Sequence, residues 1–196
     1  MPVDLVKGQR ISLDKEVGGR LSRVVMGLGW DVAKRGGFLG GLLGGGGGSI
    51  DLDASCVMFD EAGRAVDTIY YAQLQSRDGS VIHTGDNLTG EGEGDDEQIR
   101  VDLSRVPQNV KTLVFVVNSF TGQDFGRIEN AFCRLVDETT GAEIARYNLS
   151  GGGSHTAQVM AKVYRGSDGG WDMSAIGENA SGRTFRDLMP AIIASL

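Results

Sequence analysis

The chain has 196 residues, a net charge of −7 and a pI near 4.8. That length suits one large domain, and 40% hydrophobic with 23% charged residues supplies a real core. The acidic balance argues against a nucleic-acid partner, because phosphate binding needs a basic face.

The N-terminal stretch MPVDLVKGQRISLDKEV has no apolar core of the secretory kind. No run approaches the roughly 20 apolar residues of a membrane span, so a cytoplasmic location is expected. Period-two alternation then marks strands along most of the chain. In RLSRVVMGLGW, Val24, Met26 and Leu28 share one face, and Leu21 and Val25 the other. A low-complexity segment, RGGFLGGLLGGGGGS, spans 35–49. It lacks the Lys-Ser/Thr of a phosphate-binding loop, because Ser49-Ile50-Asp51 follows its glycines. The plainer reading is a flexible surface insertion. The alternative is that Phe38, Leu39, Leu42 and Leu43 enter a partner or a lipid surface.

IDLDAS follows, with Asp51 and Asp53 two apart in a strand-like run. Both carboxylates fall on one face, while Leu52, Ala54, Cys56 and Met58 take the other. IRVDL alternates again at Ile99, Val101 and Leu103. VKTLVFVVNSF is apolar on both faces, as a buried central strand is. A short helical turn is expected near Gly126–Asn130, and FCRLVDETTGAEIARYNL reads as two strands around a turn at Thr140–Gly141. TAQVMAKVYR and WDMSAIG are the last strands. Only the tail, TFRDLMPAIIASL, reads as a helix, with Pro190 placed to interrupt or kink it. The expected fold is all-β: a two-sheet β-sandwich, one domain over 1–196, with a short C-terminal helix and few other helical turns. Cys56 and Cys133 lie in apolar runs and read as reduced core thiols.

One stretch needs a chemical explanation. HTGDNLTGEGEGDDEQI, 83–99, packs six acids, Asp86, Glu91, Glu93, Asp95, Asp96 and Glu97, among glycines, with no basic residue between Asp86 and Glu97. Carboxylates about 6 Å apart repel by roughly 0.7 kcal/mol per pair even in water. A hard divalent cation would relieve this, taking six to eight oxygens. Carboxylates, the Asn87 amide, the Thr89 hydroxyl and backbone carbonyls are on offer. The bland alternative is a solvated acidic run. The alternation of glycine with acid and the second acidic pair at Asp51 and Asp53 favour the cation. Asp31 ends a preceding strand and can join them. The spacing is not that of an EF-hand, since neither Asp86 nor Glu91 as first position puts the required residues in place. Two histidines and two distant cysteines argue against zinc.

These stretches resemble the TerD (tellurium-resistance) family. The matching runs are GLGWD at 27–31, IDLDAS at 50–55, HTGDNLTGEGEGDDEQI at 83–99, ENAFCRLVDETTGAEIARYNL at 129–149 and AIGENASG at 175–182. The resemblance implies a bacterial, cytosolic, calcium-binding β-sandwich of stress and tellurite-resistance clusters, without catalytic activity and holding more than one Ca2+. By the family's motif the candidate ligands are Asp31, Asp51, Asp53, Asp86, Asn87, Glu91, Glu93, Asp95, Asp96 and Glu97. The implied partners are other proteins of a stress or tellurite-resistance complex. Segment 35–49 is longer than in the simplest members. Asp172 stands where many relatives are basic, and nothing in the sequence accounts for it.

Two other functions compete. A metal-dependent hydrolase could use the same carboxylates, but no basic phosphate clamp accompanies them. A serine nucleophile would need Ser80 or Ser154 with His83 or His155, none in a nucleophile-elbow context; surface histidines are the expectation. A calcium-dependent membrane or scaffold adaptor would insert the 35–49 loop, placing the protein peripherally at the inner membrane face. Trp30 and Trp171 read as core or edge aromatics, and Tyr70 and Tyr71 as strand residues. Asn118, Asp124 and Asn130 are candidates for further polar contacts near the acids.

Overall fold

The computed structural model describes residues 2–32, 51–85, 94–149 and 153–196. The strands are β1 (Val3–Asp4), β2 (Arg10–Ser12), β3 (Arg23–Val32), β4 (Leu52–Asp60), β5 (Ala65–Ile69), β6 (Val81–His83), β7 (Glu97–Asp102), β8 (Val110–Ser119), β9 (Ile128–Asp137), β10 (Glu143–Asn148), β11 (Ala157–Arg165) and β12 (Trp171–Ala180). Helices α1 (Leu13–Val17) and α2 (Phe185–Ala194) and a 3-10 turn at Phe125–Arg127 complete the described elements. The strands form a front sheet ordered β1-β10-β9-β3-β7-β6 and a back sheet ordered β2-β12-β11-β8-β4-β5. Every pairing is antiparallel except β1 with β10. This is the expected β-sandwich.

The alternation works as read. Val24, Met26 and Leu28 of β3 face Leu52, Ala54, Cys56 and Met58 of β4 across one apolar core. β8 lies between β11 and β4. Its Leu113, Phe115 and Val117 enter that core, and Val114 and Val116 enter a second layer under α2. Both cysteines are free and buried.

The helix α2 runs through Pro190 rather than ending there. Leu188 and Ile192 hold it down by packing on Val57, Phe59, Val114 and Val159 of the back sheet. Its N-terminus is closed by Asp187, whose Oδ2 accepts the Thr184 and Arg183 backbone N–H groups. Helix α1 was not apparent in the sequence. It has 5 residues and one buried side chain, Leu13, and stops at Gly18, whose φ of 68° is the left-handed cap glycine favours. Such a helix is too short to show a periodic signal. Tyr70 and Tyr71 sit in a tight turn closed by paired Tyr70 and Gln73 backbone bonds, rather than within a strand.

The antiparallel register brings many strand ends together. β3 finishes, β4 begins, β6 finishes, β7 begins, β8 finishes and β9 begins at one end of the sandwich. This end carries Asp31, Asp51, Asp95, Asp96 and Glu97, and segments 33–50 and 86–93 both connect strands there. The Gly-rich insertion at 35–49, with Phe38 and Leu39, lies outside the described residues. Among those residues no helix is long and apolar enough to cross a membrane.

Phe115 is fully buried on a central strand. Phe115→Ala should cost about 3–5 kcal/mol, read as a lowered urea midpoint. Ile193→Ala, at a site 51% exposed, should stay within about 0.5 kcal/mol of the parent.

Candidate metal centre

The acid end is built on a bare strand face. Gly27 and Gly29 of β3 point outward, between the inward Leu28 and Trp30. A Cβ on Gly27 would run into the Asp95 carboxylate, and one on Gly29 would lie 2.8 Å from the Gly94 carbonyl oxygen. The GLGW motif is thus a groove into which segment 94–96 folds. Asp96 N–H donates to the Leu28 carbonyl at 2.8 Å, and Asp96 Oδ2 accepts the Trp30 N–H at 2.9 Å. The segment extends the β3–β7 ladder past Glu97, which pairs with Leu28.

Neighbours on β9 lean over the same glycines. Arg134 lies opposite Gly27, and Phe132 opposite Gly29. Arg134 Nε donates to Asp95 Oδ1 at 2.7 Å, and Arg134 Nη1 to Glu143 Oε2 at 3.1 Å. Glu143 also receives Arg146 through two bonds of 2.8 Å, and the Arg146 guanidinium lies 4.1 Å from the Phe132 ring centre. An ion chain therefore crosses the front sheet from Asp95 to Arg146. Arg146 and then Arg134 hold the Glu143 carboxyl below its usual value, against its burial.

Glu97 is the tie between sheets. Its side chain is buried, and its Oε2 accepts the Ala54 N–H of β4 at 2.7 Å. β5 pairs with β4 only from Cys56 onward, so Glu97 supplies the acceptor at the strand's start. His83 Nε2 faces the same oxygen at 3.4 Å, and His83 Nδ1 accepts the Gly85 N–H at 3.2 Å. That bond places the proton of the neutral ring on Nε2, toward the carboxylate. His83 is 2% exposed and His155 9% exposed. Both are core histidines, not the surface ones expected, because an acid and a loop N–H occupy the first while the second packs 4.8 Å from the Phe125 ring centre. Trp30 and Trp171 are buried, as read.

The predicted ligands thus take different positions. Asp31 and Asp96 come together with Asp95. Burial, with the Asp31 and Asp95 carboxylates, pushes Asp96 above its ordinary value, against the bond from Trp30. Asp31 Oδ2 accepts the Asn130 side-chain amide at 2.8 Å. Asn130 has a φ of 51°, the one non-glycine residue with positive φ among those described. It sits where the β3–β9 register shifts between Gly29 and Asp31, a bulge that turns its amide onto Asp31. Asp51 precedes β4, and its carbonyl accepts the Phe120 N–H at 3.1 Å. Asp53 lies on the outer face of the back sheet, where its Oδ2 accepts from Asn118 Nδ2 at 3.3 Å. Asp86, Asn87, Glu91 and Glu93 lie outside the described residues. Among the described residues alone, no cluster of three or more ligand-type side chains forms.

Sequence reasoning missed Gly27, Gly29 and Arg134. The paired glycines flanking Leu28 were the available signal: they interrupt the outer face of an otherwise β-prone strand. Arg134 gave none, because its partner is 39 residues away.

Gly27→Ala should displace Asp95 and cost about 1–3 kcal/mol, read as a lowered melting temperature. Glu143 has a depressed folded value, so its contribution is full above its ordinary value of 4.5 and fades as pH falls through the folded one. Glu143→Gln should flatten the loss of stability below about pH 4.5 in urea titrations run from pH 6 downward.

Comparison with known proteins follows the same lines. The TerD domain model matches residues 1–190. Tellurium resistance protein TerZ of Serratia marcescens is 53% identical, over 99% of this chain and 98% of its own. Stress response protein SCP2 of Bacillus subtilis (strain 168) is 48% identical, over 96% of this chain and 98% of its own. A solved homologue of telluride resistance protein (TerD) from Streptomyces coelicolor A3(2) superposes with a TM-score of 0.68 at 18% identity, covering 86% of this chain and 95% of its own. A β-sandwich with a glycine-floored acid end is the form that the motifs GLGWD and IDLDAS take here, and the chain belongs to the TerD family of tellurium-resistance and stress-response proteins.

Proposed function

We propose that the chain is a non-enzymatic calcium-binding protein of the stress response, acting through partner proteins. The observation that carries this reading is the crowding at Asp96. Folding presses a half-buried carboxyl against Asp31 and Asp95 and raises its proton affinity. A site that stabilises the proton on an acid in this way also favours a cation. The donors at hand are oxygens: the carboxylates of Asp31 and Asp96 and the Asn130 amide. Hard oxygen donors match calcium rather than zinc. Asp86, Asn87, Glu91 and Glu93 would complete the shell, with Asp51 at the start of β4 within the same end of the sandwich. Asp95 and Glu97 would hold the site's walls, since Arg134 and the Ala54 N–H already engage them.

The names of the relatives speak of tellurium resistance and stress response, not of a reaction. The hydrolase reading has less support. Both histidines are buried, and Ser80 is 2% exposed. The adaptor reading rests on Phe38 and Leu39, outside the described residues.

Calcium at 100 times its dissociation constant should add about 2.7 kcal/mol of stability. EDTA should accordingly lower the melting temperature of the purified chain. Asp31→Asn/Asp96→Asn should abolish both the calorimetric binding heat and the EDTA effect. Unchanged calcium binding in that double variant would place the ion elsewhere.

A further inference from the structure

Segment 94–96 is held against the front sheet by side chains from other strands, and Asp95 is where they take hold. Its side chain is 1% exposed. Oδ1 accepts the Arg134 Nε–H at 2.7 Å, and Oδ2 accepts the Gln98 Nε2–H at 3.1 Å. Both oxygens are thus engaged, over the bare Gly27 backbone.

Arg134 is fixed from its far side. Its Nη1 donates to Glu143 Oε2 at 3.1 Å, and Arg146 donates to both Glu143 oxygens at 2.8 Å. The Arg146 guanidinium lies 4.1 Å from the Phe132 ring centre, and that ring covers Gly29. The group therefore covers both glycines of the floor, Asp95 over one and Phe132 over the other. Its four charges alternate in sign from β10 to the acid segment, and they cancel.

Glu143 is the member that gives Arg134 a single orientation. A guanidinium bonded through Nε to one acid and through Nη1 to another cannot rotate without losing a bond. With the Glu143 carboxylate removed, only the bond to Asp95 remains. The Arg134 side chain is 27% exposed, and its long stem regains rotamer freedom. The next acid along the segment is Asp96, whose carboxyl is already crowded by Asp31 and Asp95. These carboxylates draw a loose guanidinium by the same attraction that favours calcium. A guanidinium there opposes the ion, and Asp95 loses its fixed partner. Both effects weaken a cation site at Asp96.

We propose that Glu143 and Arg134 are positioning residues for the calcium site. They hold segment 94–96 on its glycine floor, and Glu143 keeps the Arg134 guanidinium off the acids that take the ion. The inference rests on the calcium reading and adds to it two residues, on β9 and β10, that do not themselves bind the ion. Calcium affinity is thereby set in part from β10. Partners that orient a metal's ligands are worth roughly 10- to 100-fold in affinity.

The test is calcium titration calorimetry on the full, EDTA-stripped chain and its variants, with hydrogen exchange at the Asp96 N–H measured in EDTA. Glu143→Gln should weaken calcium binding about tenfold and speed exchange at Asp96. Arg134→Lys keeps the charge but gives up the fork, and should weaken binding by a similar factor. Two controls should keep the parent's affinity. Glu138→Gln makes the same charge change at the ion pair with Arg100. Phe115→Ala, titrated below its melting transition, lowers stability from the core and so separates general destabilisation from lost positioning. Parent-like affinity in Glu143→Gln and Arg134→Lys, or equal weakening in either control, would overturn the proposal and leave the calcium reading standing. Absence of calcium binding in the parent chain would overturn both.

Discussion

The acid end depends on the absence of two side chains. Gly27 and Gly29 leave the outer face of β3 bare, and segment 94–96 lies directly against that backbone. Only this close approach lets Asp96 bond both the Leu28 carbonyl and the Trp30 N–H. It also delivers Asp95 to Arg134 and swings Glu97 across to Ala54. Three consecutive acids thus take three environments. One is neutralised by a guanidinium, one is crowded by carboxylates, and one is buried as a cross-sheet tie. Their sequence adjacency hides this division, since successive side chains of a strand face opposite ways and bends at Gly94 and Asp96 break the alternation before Glu97.

Much of the fold was legible because the strands obey period two. The inner and outer faces of β3, β4 and β8 could be assigned by counting, and the turn at Thr140–Gly141 by its composition. α1 and the two- and three-residue strands β1 and β2 were not legible, because they are shorter than any periodic signal. α2's passage through Pro190 was decided by tertiary packing, which overrides local propensity. At the site, counting correctly put Asp53 opposite Leu52 and Ala54. It could not say which layer lay outside: that face is roofed by α2 and two tyrosines, whereas Asp96 lies on the opposite sheet. The histidines failed for a related reason. Burial of His83 depends on Glu97, 14 residues away, and no local pattern records such a partner.

β4 links these two regions. Its first residues carry Asp53 outward toward α2 and offer the Ala54 N–H inward to Glu97. A change in how firmly segment 94–97 is held would be felt at Ala54, one residue from Asp53. The route is short and consists of one hydrogen bond and one peptide unit. Coupling through such a route requires a two-state element, and the start of β4, paired by β8 but not by β5 until Cys56, is held on that open edge by Glu97 alone among the described residues.

Protection against an oxyanion such as tellurite does not follow from direct chemistry at these sites. Reduction by thiols needs accessible thiolates. Cys56 and Cys133 are fully buried, and burial raises both thiols, Cys133 to about 12. The acid end and the net charge of −7 repel an anion. The carboxylates crowded around Asp96 favour a cation instead, so on the proposed calcium reading any contribution to resistance is indirect.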